Sequence, residues 1–127
     1  FDVPLSRPNL ERWLKYMTSK DDLLNAYAQG WVQGNPAAIL QACTPDYQFV
    51  DNGTRIARSE FDAYLTRLKN DLAVTSDPFM EISKVVTHDL GDVKVACCYW
   101  AVLGTEISGT GLILVENGGV SFEEVSY

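Results

Sequence analysis

The spacing of apolar residues changes once along this chain. Up to Leu72 they recur mostly every three or four positions, which predicts helices, and from Phe79 onward they recur every second position, which predicts strands. Helices followed by a run of strands indicate an α+β fold, with helices packed on one face of a curved antiparallel sheet. Because strands and helices do not alternate, a doubly wound parallel sheet is excluded.

Capping signals indicate where the predicted helices begin. Residues 19–22 and 59–62 have the capping-box spacing, and Asn35 followed by Pro36 is typical of the start of a short helix. An amphipathic helix of about two turns, Leu10–Met17, comes before them and needs a surface to cover. The four predicted helices therefore cover residues 10–17, 20–33, 36–42 and 59–72.

One strand is predicted between the helices and four after them. The first is residues 47–51, followed by a loop over residues 52–58, and the later strands are residues 79–88, 93–103, 105–116 and 120–127. Residues 93–103 are apolar on both faces, so we expect helices to cover one face and a partner sheet or the chain's own wall the other. No linker is visible, which predicts a single domain over residues 1–127, with residues 1–18 as an extension helix and residues 19–127 as the main body.

Composition narrows the classes of partner. Hydrophobic residues make up 46% of the 127 residues, as in a globular chain. The formal net charge of −7 repels phosphate backbones and anionic lipids, so we expect neither a nucleic acid nor a membrane as partner. No apolar run is long enough to span a bilayer, and no signal peptide is visible.

Cysteine and histidine usage points to a reducing, cytoplasmic setting without a metal. The three cysteines include the vicinal pair Cys97 and Cys98, which is not the pattern of a disulfide framework. The single histidine, His88, belongs to no metal-ligand spacing, so no metal site is expected.

The strand at residues 47–51 carries the clearest chemical signal. Tyr47, Phe49 and Asp51 project to one face of it, so a carboxylate ends a face that begins with two aromatic rings. Loss of water beside such walls raises the pKa of a carboxyl group and makes it a stronger base when ionised. The alternative is that Asp51 only starts the turn at Asn52-Gly53.

Over residues 20–127 the sequence resembles the nuclear transport factor 2-like superfamily, in its SnoaL-like and ketosteroid-isomerase-like branch. The resemblance rests on element order and on the pattern Gly-Asn-x-x-x-Ile-Leu followed by Pro-Asp-Tyr-x-Phe, at residues 34–40 and 45–49. It implies a cone-shaped half-barrel wrapped around helices, a deep apolar pocket, and a homodimer formed through the sheet. It leaves the reaction open, because this fold carries many functions.

The resemblance also implies catalytic residues. Tyr27 corresponds to the family's helix tyrosine, eight residues before Asn35, and Asp51 stands at the place of its general-base aspartate. The family's second acid, which is protonated and completes an oxyanion hole, corresponds here to Thr110 or Gly111, so the acid is absent and Thr110 is the expected weaker donor.

The expected pocket lining consists of aromatic and apolar residues with one further acid. Glu123 and Glu124 point to opposite sides, and Glu124 is preferred because it alternates in phase with Val120 and Phe122. Whether His88 or Glu106 faces the pocket is left open. The predicted substrate-binding residues are Trp31, Tyr47, Phe49, Phe61, Tyr99, Trp100, Leu112 and Glu124.

The expected function is that of a small-molecule pocket protein. The leading hypothesis is an enzyme without cofactor that abstracts a proton next to a carbonyl group of a small apolar or polycyclic substrate, as isomerases, cyclases and dehydratases do. In it Asp51 takes the proton, Tyr27 stabilises the enolate oxygen, and Asp51→Asn abolishes turnover. The alternative is a non-catalytic ligand-binding or dimerisation module of the same fold.

Overall fold

A computed structural model of the protein describes residues 18–116 and 118–127. The predicted helix Leu10–Met17, and with it most of the extension at residues 1–18, lies outside the described residues. The described part contains three helices and a six-stranded sheet. The helices are α1 (Lys20–Gln33), α2 (Pro36–Gln41) and α3 (Arg58–Asp71), and the strands are β1 (Cys43–Asp51), β2 (Thr54–Ala57), β3 (Met80–Asp89), β4 (Lys94–Val102), β5 (Ser108–Glu116) and β6 (Gly119–Ser126).

Two of the three helices begin at the predicted caps. The side chain of Ser19 accepts a hydrogen bond from the backbone N–H of Asp22 at 3.1 Å, and that of Asn35 accepts one from Ala38 at 3.2 Å. The capping box predicted at residues 59–62 is not used, because the N-cap of α3 is Ala57, two residues before Ser59, and Ala57 offers no side-chain acceptor.

The sheet is curved and does not close, with the strand order β2-β1-β6-β5-β4-β3. Neighbouring strands are antiparallel except β1 and β6, which are parallel, so the antiparallel prediction holds for four of the five pairs. The loop predicted at residues 52–58 is wrong from Thr54 onward, because residues 54–57 form β2 and Arg58 begins α3. Asn52 and Gly53, with φ of 45° and 88°, make the tight turn that lets β2 fold back on β1.

The helices cover the inner face of the sheet, and the core lies between them. On β4 the buried residues are Ala96, Cys98, Trp100 and Val102, while Tyr99 on the other face is 52% exposed. The strand that the sequence predicts to be covered on both faces therefore has one open face in the single chain. No described helix has the length and apolar character of a membrane span.

A bulge in β6 decides which of its residues face inward. Leu114 of β5 pairs with Phe122, whereas the next residue, Val115, pairs with Val120, so Ser121 is an extra residue in β6. Beyond this extra residue, the positions of β6 that face inward and those that face outward change places. Val120 is buried, and so are Glu123 and Val125 beyond the bulge.

Candidate functional site

An apolar cavity of about 200 Å³ lies between α1, α3 and the inner face of the sheet. Aliphatic and aromatic side chains make up most of its wall. Glu123 is the only carboxylic acid among the described residues that line it. Cavities of this composition, with few and well-placed polar groups, are typical sites for small organic ligands.

Glu123 ends a hydrogen-bonded chain that begins with two phenols from different parts of the sequence. It is 5% exposed, and the hydroxyl of Tyr27 on α1 donates a short hydrogen bond to its Oε1. The hydroxyl of Tyr47 on β1 lies 2.6 Å from that of Tyr27. When Glu123 is ionised, the hydroxyl of Tyr27 donates its hydrogen bond to the carboxylate and its oxygen accepts one from Tyr47. The three polar groups then form a buried hydrogen-bonded chain.

Burial moves the titration of Glu123 close to neutrality. Its pKa is raised to about 7, because loss of water penalises the charged carboxylate more than Tyr27 and the nearby indole N–H of Trp31 stabilise it. Burial, with the charge of Glu123 second, raises the pKa of Tyr27 and of Tyr47 well above the ordinary value. The two phenols therefore stay protonated while Glu123 exchanges its proton.

Asp51 adjoins the cavity but is not among the residues that line it. The hydroxyl of Tyr64 donates to its Oδ2 at 2.7 Å, and its Oδ1 is buried without a hydrogen-bond partner. Tyr64 and Tyr127 do line the cavity, and the pKa of Tyr127 is raised by burial and then by the nearby Asp51 carboxylate. The structure thus places Tyr27 in the cavity wall and Asp51 next to it.

Three of the predicted substrate-binding residues line the cavity, namely Trp31, Phe49 and Trp100. Two others lie in the core beside it: Tyr47 holds Tyr27, and Phe61 packs edge-on against Trp31 and Phe49, with ring centroids 5.6 Å apart in both pairs. Tyr47 and Phe61 therefore hold the neighbouring side chains of the cavity wall, Tyr27 and Trp31, in position.

Four predicted site residues lie on the opposite face of the sheet, and their assignment to the pocket is corrected. Side chains alternate along β4 and β5, so the burial of Trp100 and Ile113 turns their neighbours outward. Thr110 is exposed, and its role as the second donor does not fit this position. The residues on the outer face are Tyr99, Thr110, Leu112 and Glu124.

Glu123 is the site residue that the sequence reasoning missed. Strict alternation from Val120 and Phe122 selects Glu124, but the bulge at Ser121 reverses the phase and turns Glu123 inward. The two glycines at the bend between β5 and β6, Gly118 and Gly119, were the only sequence signal of an irregular strand start. His88 and Glu106 are both exposed.

Gly111 provides the space for this carboxyl group. It faces inward on β5, and a Cβ atom there would lie 2.7 Å from Oε2 of Glu123 and 3.3 Å from Sγ of Cys98. The carboxyl group of Glu123, from the neighbouring strand β6, thus lies against Gly111, one of the two positions to which the resemblance assigns the missing acid. No cluster of three metal-binding side chains occurs within residues 18–116 and 118–127.

Solved structures similar to this one share its fold at low sequence identity. An NTF-2-like protein of unknown function from Shewanella oneidensis aligns with a TM-score of 0.61 and 15% identity over 84% of this chain and 95% of its own. A protein named TerC, crystallised with polyporic acid, aligns with a TM-score of 0.64 and 16% identity over 85% and 90%. A proposed polyketide cyclase from Xanthomonas campestris aligns with a TM-score of 0.57 and 18% identity over 92% of both chains.

The fold is therefore the NTF-2-like fold, as the sequence resemblance predicts. Other matching structures are ketosteroid-isomerase-like proteins, and one is a designed protein with a curved β-sheet. No protein-family model and no curated protein matches the sequence. At these identities the likeness defines the fold and leaves the activity to the residues of the site.

Glu123 makes stability depend on pH in a defined direction. Its pKa is about 7 in the folded chain, above the ordinary value of 4.5, so the folded state binds the proton more tightly. This contribution is fully present below pH 4.5 and is lost as pH rises through 7. Between about pH 5 and about pH 8 the wild type should therefore lose about 2 kcal/mol of unfolding free energy that Glu123→Gln, which cannot titrate at this position, does not lose. Urea titrations at both pH values measure the unfolding free energy, and Glu124→Gln, on the outer face, is the matched control. The same pH dependence in the wild type, Glu123→Gln and Glu124→Gln would contradict the burial of Glu123.

Filling the space at Gly111 should displace the carboxyl group. In Gly111→Ala the new methyl group pushes Oε2 of Glu123 aside, which weakens the hydrogen bond from Tyr27 that lowers the pKa of Glu123. We expect this pKa to rise, with a loss of about 1 kcal/mol of stability, since a flexible side-chain end can yield. Carboxyl-carbon NMR titration measures the pKa. Leu112→Ala, one position along on the outer face, should leave it unchanged, and an unaltered value in Gly111→Ala would show that the glycine is not needed.

Proposed function

We propose that this protein binds a small apolar carbonyl compound in the cavity and transfers a proton at the carbon next to the carbonyl group, with Glu123 as the base. The observation that carries the proposal is a buried carboxyl group of pKa about 7 in the wall of an otherwise apolar cavity. A base of this pKa is ionised in part at neutral pH and retains enough basicity to remove a proton from carbon. No cofactor is needed for this step.

The cavity favours a compact ligand. An apolar protein cavity of about 150 Å³ binds benzene, and this one is about 200 Å³. One or two fused rings therefore fit better than a four-ring skeleton. Among the neighbours of similar fold, the protein crystallised with polyporic acid and the proposed polyketide cyclase support cyclic organic molecules as the ligand class.

Tyr27 and Tyr47 hold the proposed base, Glu123, in position. Their hydroxyls form a chain that ends on Oε1 of Glu123, which fixes the carboxyl group and leaves Oε2, on the side of Gly111, to meet the substrate. Here Tyr27 orients the base, whereas the sequence resemblance gave it the role of contacting the substrate oxygen. Isomerisation, cyclisation and dehydration all begin with the same proton abstraction.

A reaction that needs only a base in an apolar pocket tests this proposal without knowledge of the natural substrate. The ring opening of 5-nitrobenzisoxazole begins with removal of a proton from carbon and releases a coloured phenolate. Glu123→Gln should lower the protein-catalysed rate by about 100-fold or more, since general-base catalysis contributes factors of this size. The wild-type rate should rise with pH and level off above the pKa of about 7.

Two variants make the result specific. Glu124→Gln changes the same chemical group one position along, on the outer face of the sheet, and should keep the wild-type rate. Asp51→Asn tests the base predicted from the sequence. Loss of activity in Asp51→Asn with full activity in Glu123→Gln would assign the base to Asp51 and refute the role of Glu123. No catalysis by the wild type would favour a ligand-binding module of the same fold.

We also propose that two copies of the chain associate through the outer face of the sheet, as the family resemblance implies. Val86, Cys97 and Leu112 are cross-strand neighbours on this face, and Tyr99 lies beside them. Val86 is 59% exposed and Tyr99 is 52% exposed, which is a large apolar area to leave in water. A second copy of the same face would cover it.

Charge placed on this face should separate the copies. We expect Leu112→Lys to sediment as a monomer and the wild type as a dimer at high micromolar concentration, because a buried unpaired ammonium is costly to desolvate. Analytical ultracentrifugation over a concentration series measures this. The control is Ala26→Lys on the exposed side of α1, which should remain dimeric. A wild-type monomer across the series would contradict the proposed interface.

A further inference from the structure

One buried donor, on a residue that lines the cavity, makes no full hydrogen bond. The indole Nε1 of Trp31 is buried and makes no hydrogen bond, although the residue is only 6% exposed and lines the cavity. The indole of Trp100 lines the same cavity, yet its Nε1 donates to the carbonyl oxygen of Thr110 at 2.9 Å. A buried donor without an acceptor costs about 1–3 kcal/mol, so its presence calls for an explanation.

Trp31 is close to the proposed base. Its N–H stabilises the charged form of Glu123 without reaching the geometry of a full hydrogen bond, and it makes none with any other described group. The ring itself is held firmly, with centroids 5.4 Å from Phe49 and 5.6 Å from Phe61. The N–H is therefore a fixed donor beside the carboxyl group.

We propose that Trp31 is a catalytic residue that donates its indole N–H to the carbonyl oxygen of the bound ligand, while Glu123 takes the proton from the adjacent carbon. The inference rests on the proposed function and specifies the ligand further: it carries an acceptor oxygen one carbon away from an acidic C–H bond. A donor and a base that lie side by side match this spacing. The hydroxyl of Tyr27 cannot fill the same role while it donates to Glu123.

The step balances without a further reactant. The C–H bond breaks, its proton goes to Glu123, and its electron pair forms the carbon–carbon double bond of the enolate. The electrons of the carbonyl double bond move onto oxygen, where the N–H of Trp31 meets the developing negative charge. If Glu123 swaps this proton with water and then protonates the same carbon, the result is hydrogen exchange; if it protonates the far carbon of a conjugated enolate, the result is isomerisation. Either path restores the carboxylate.

The experiment compares two ligands of nearly the same shape, 2-indanone, which has a carbonyl oxygen, and indane, which lacks it. The wild type should bind 2-indanone more tightly, and Trp31→Phe should reduce that preference by about tenfold, the size expected for one buried hydrogen bond. Calorimetry measures both affinities in each protein. Because the preference is a ratio within one variant, a general loosening of the cavity affects both ligands and leaves the ratio intact.

A matched variant and a spectroscopic signal complete the test. Tyr99→Phe removes a hydroxyl from the outer face of the sheet, away from the cavity, so its preference for 2-indanone should stay as in the wild type. In proton–nitrogen NMR spectra, the indole signal that is missing in Trp31→Phe should move downfield with 2-indanone and not with indane. An unchanged preference in Trp31→Phe, or no preference in the wild type, would overturn the proposal.

The outcome is separable from that of the proposed function. The binding ratio requires no proton transfer, so it can support Trp31 as a donor even if Glu123→Gln leaves benzisoxazole ring opening unchanged. In the reverse case, a rate lost in Glu123→Gln with no effect of Trp31→Phe on the ratio would keep the base and remove the donor.

Discussion

The burial of one carboxyl group, that of Glu123, is the constraint around which the site is arranged. Removing a carboxylate from water costs several kcal/mol unless hydrogen bonds replace the lost solvent. The structure supplies one full hydrogen bond, from Tyr27, and leaves the remaining cost as a raised pKa. Because its desolvation cost is only partly offset, the charged form of this carboxyl group is poorly stabilised, and the group gains and loses its proton near neutral pH.

Four separate features of the fold hold that carboxyl group in place. The bulge in β6 turns Glu123 inward, and Gly111 on β5 leaves the space it occupies. Tyr27 comes from α1 and Tyr47 from β1, which is parallel to β6 and next to it. The acid is thus absent from the β5 position that the family pattern predicts, but a carboxyl group from the adjacent strand occupies the same space. A carboxyl group can reach this space from either strand because β5 and β6 both face the cavity.

The fold by itself does not require this chemistry. Proteins of the same fold at 15–16% identity include one of unknown function, one crystallised with polyporic acid and a designed protein. In this chain the apolar cavity wall carries a hydrogen-bonded group of side chains at Glu123 and, at Trp31, a buried donor that makes no full hydrogen bond. The function proposed here rests on those groups, with the fold supplying the dry cavity in which they act.

The sequence by itself determined the class of fold and most of its elements, because periodicity, helix caps and turn residues act over a few neighbouring positions. Ser19, Asn35 and the Asn52-Gly53 turn act as predicted, and Tyr27, Trp31, Phe49 and Trp100 do line the cavity. Strand β2 was missed because four residues after a tight turn carry too little pattern. Only the tertiary structure decided which face of each strand is inside. The alternation of side chains defines two faces of a strand without saying which one the helices cover. In β6 a single extra residue turned Glu123, and not Glu124, toward the inside.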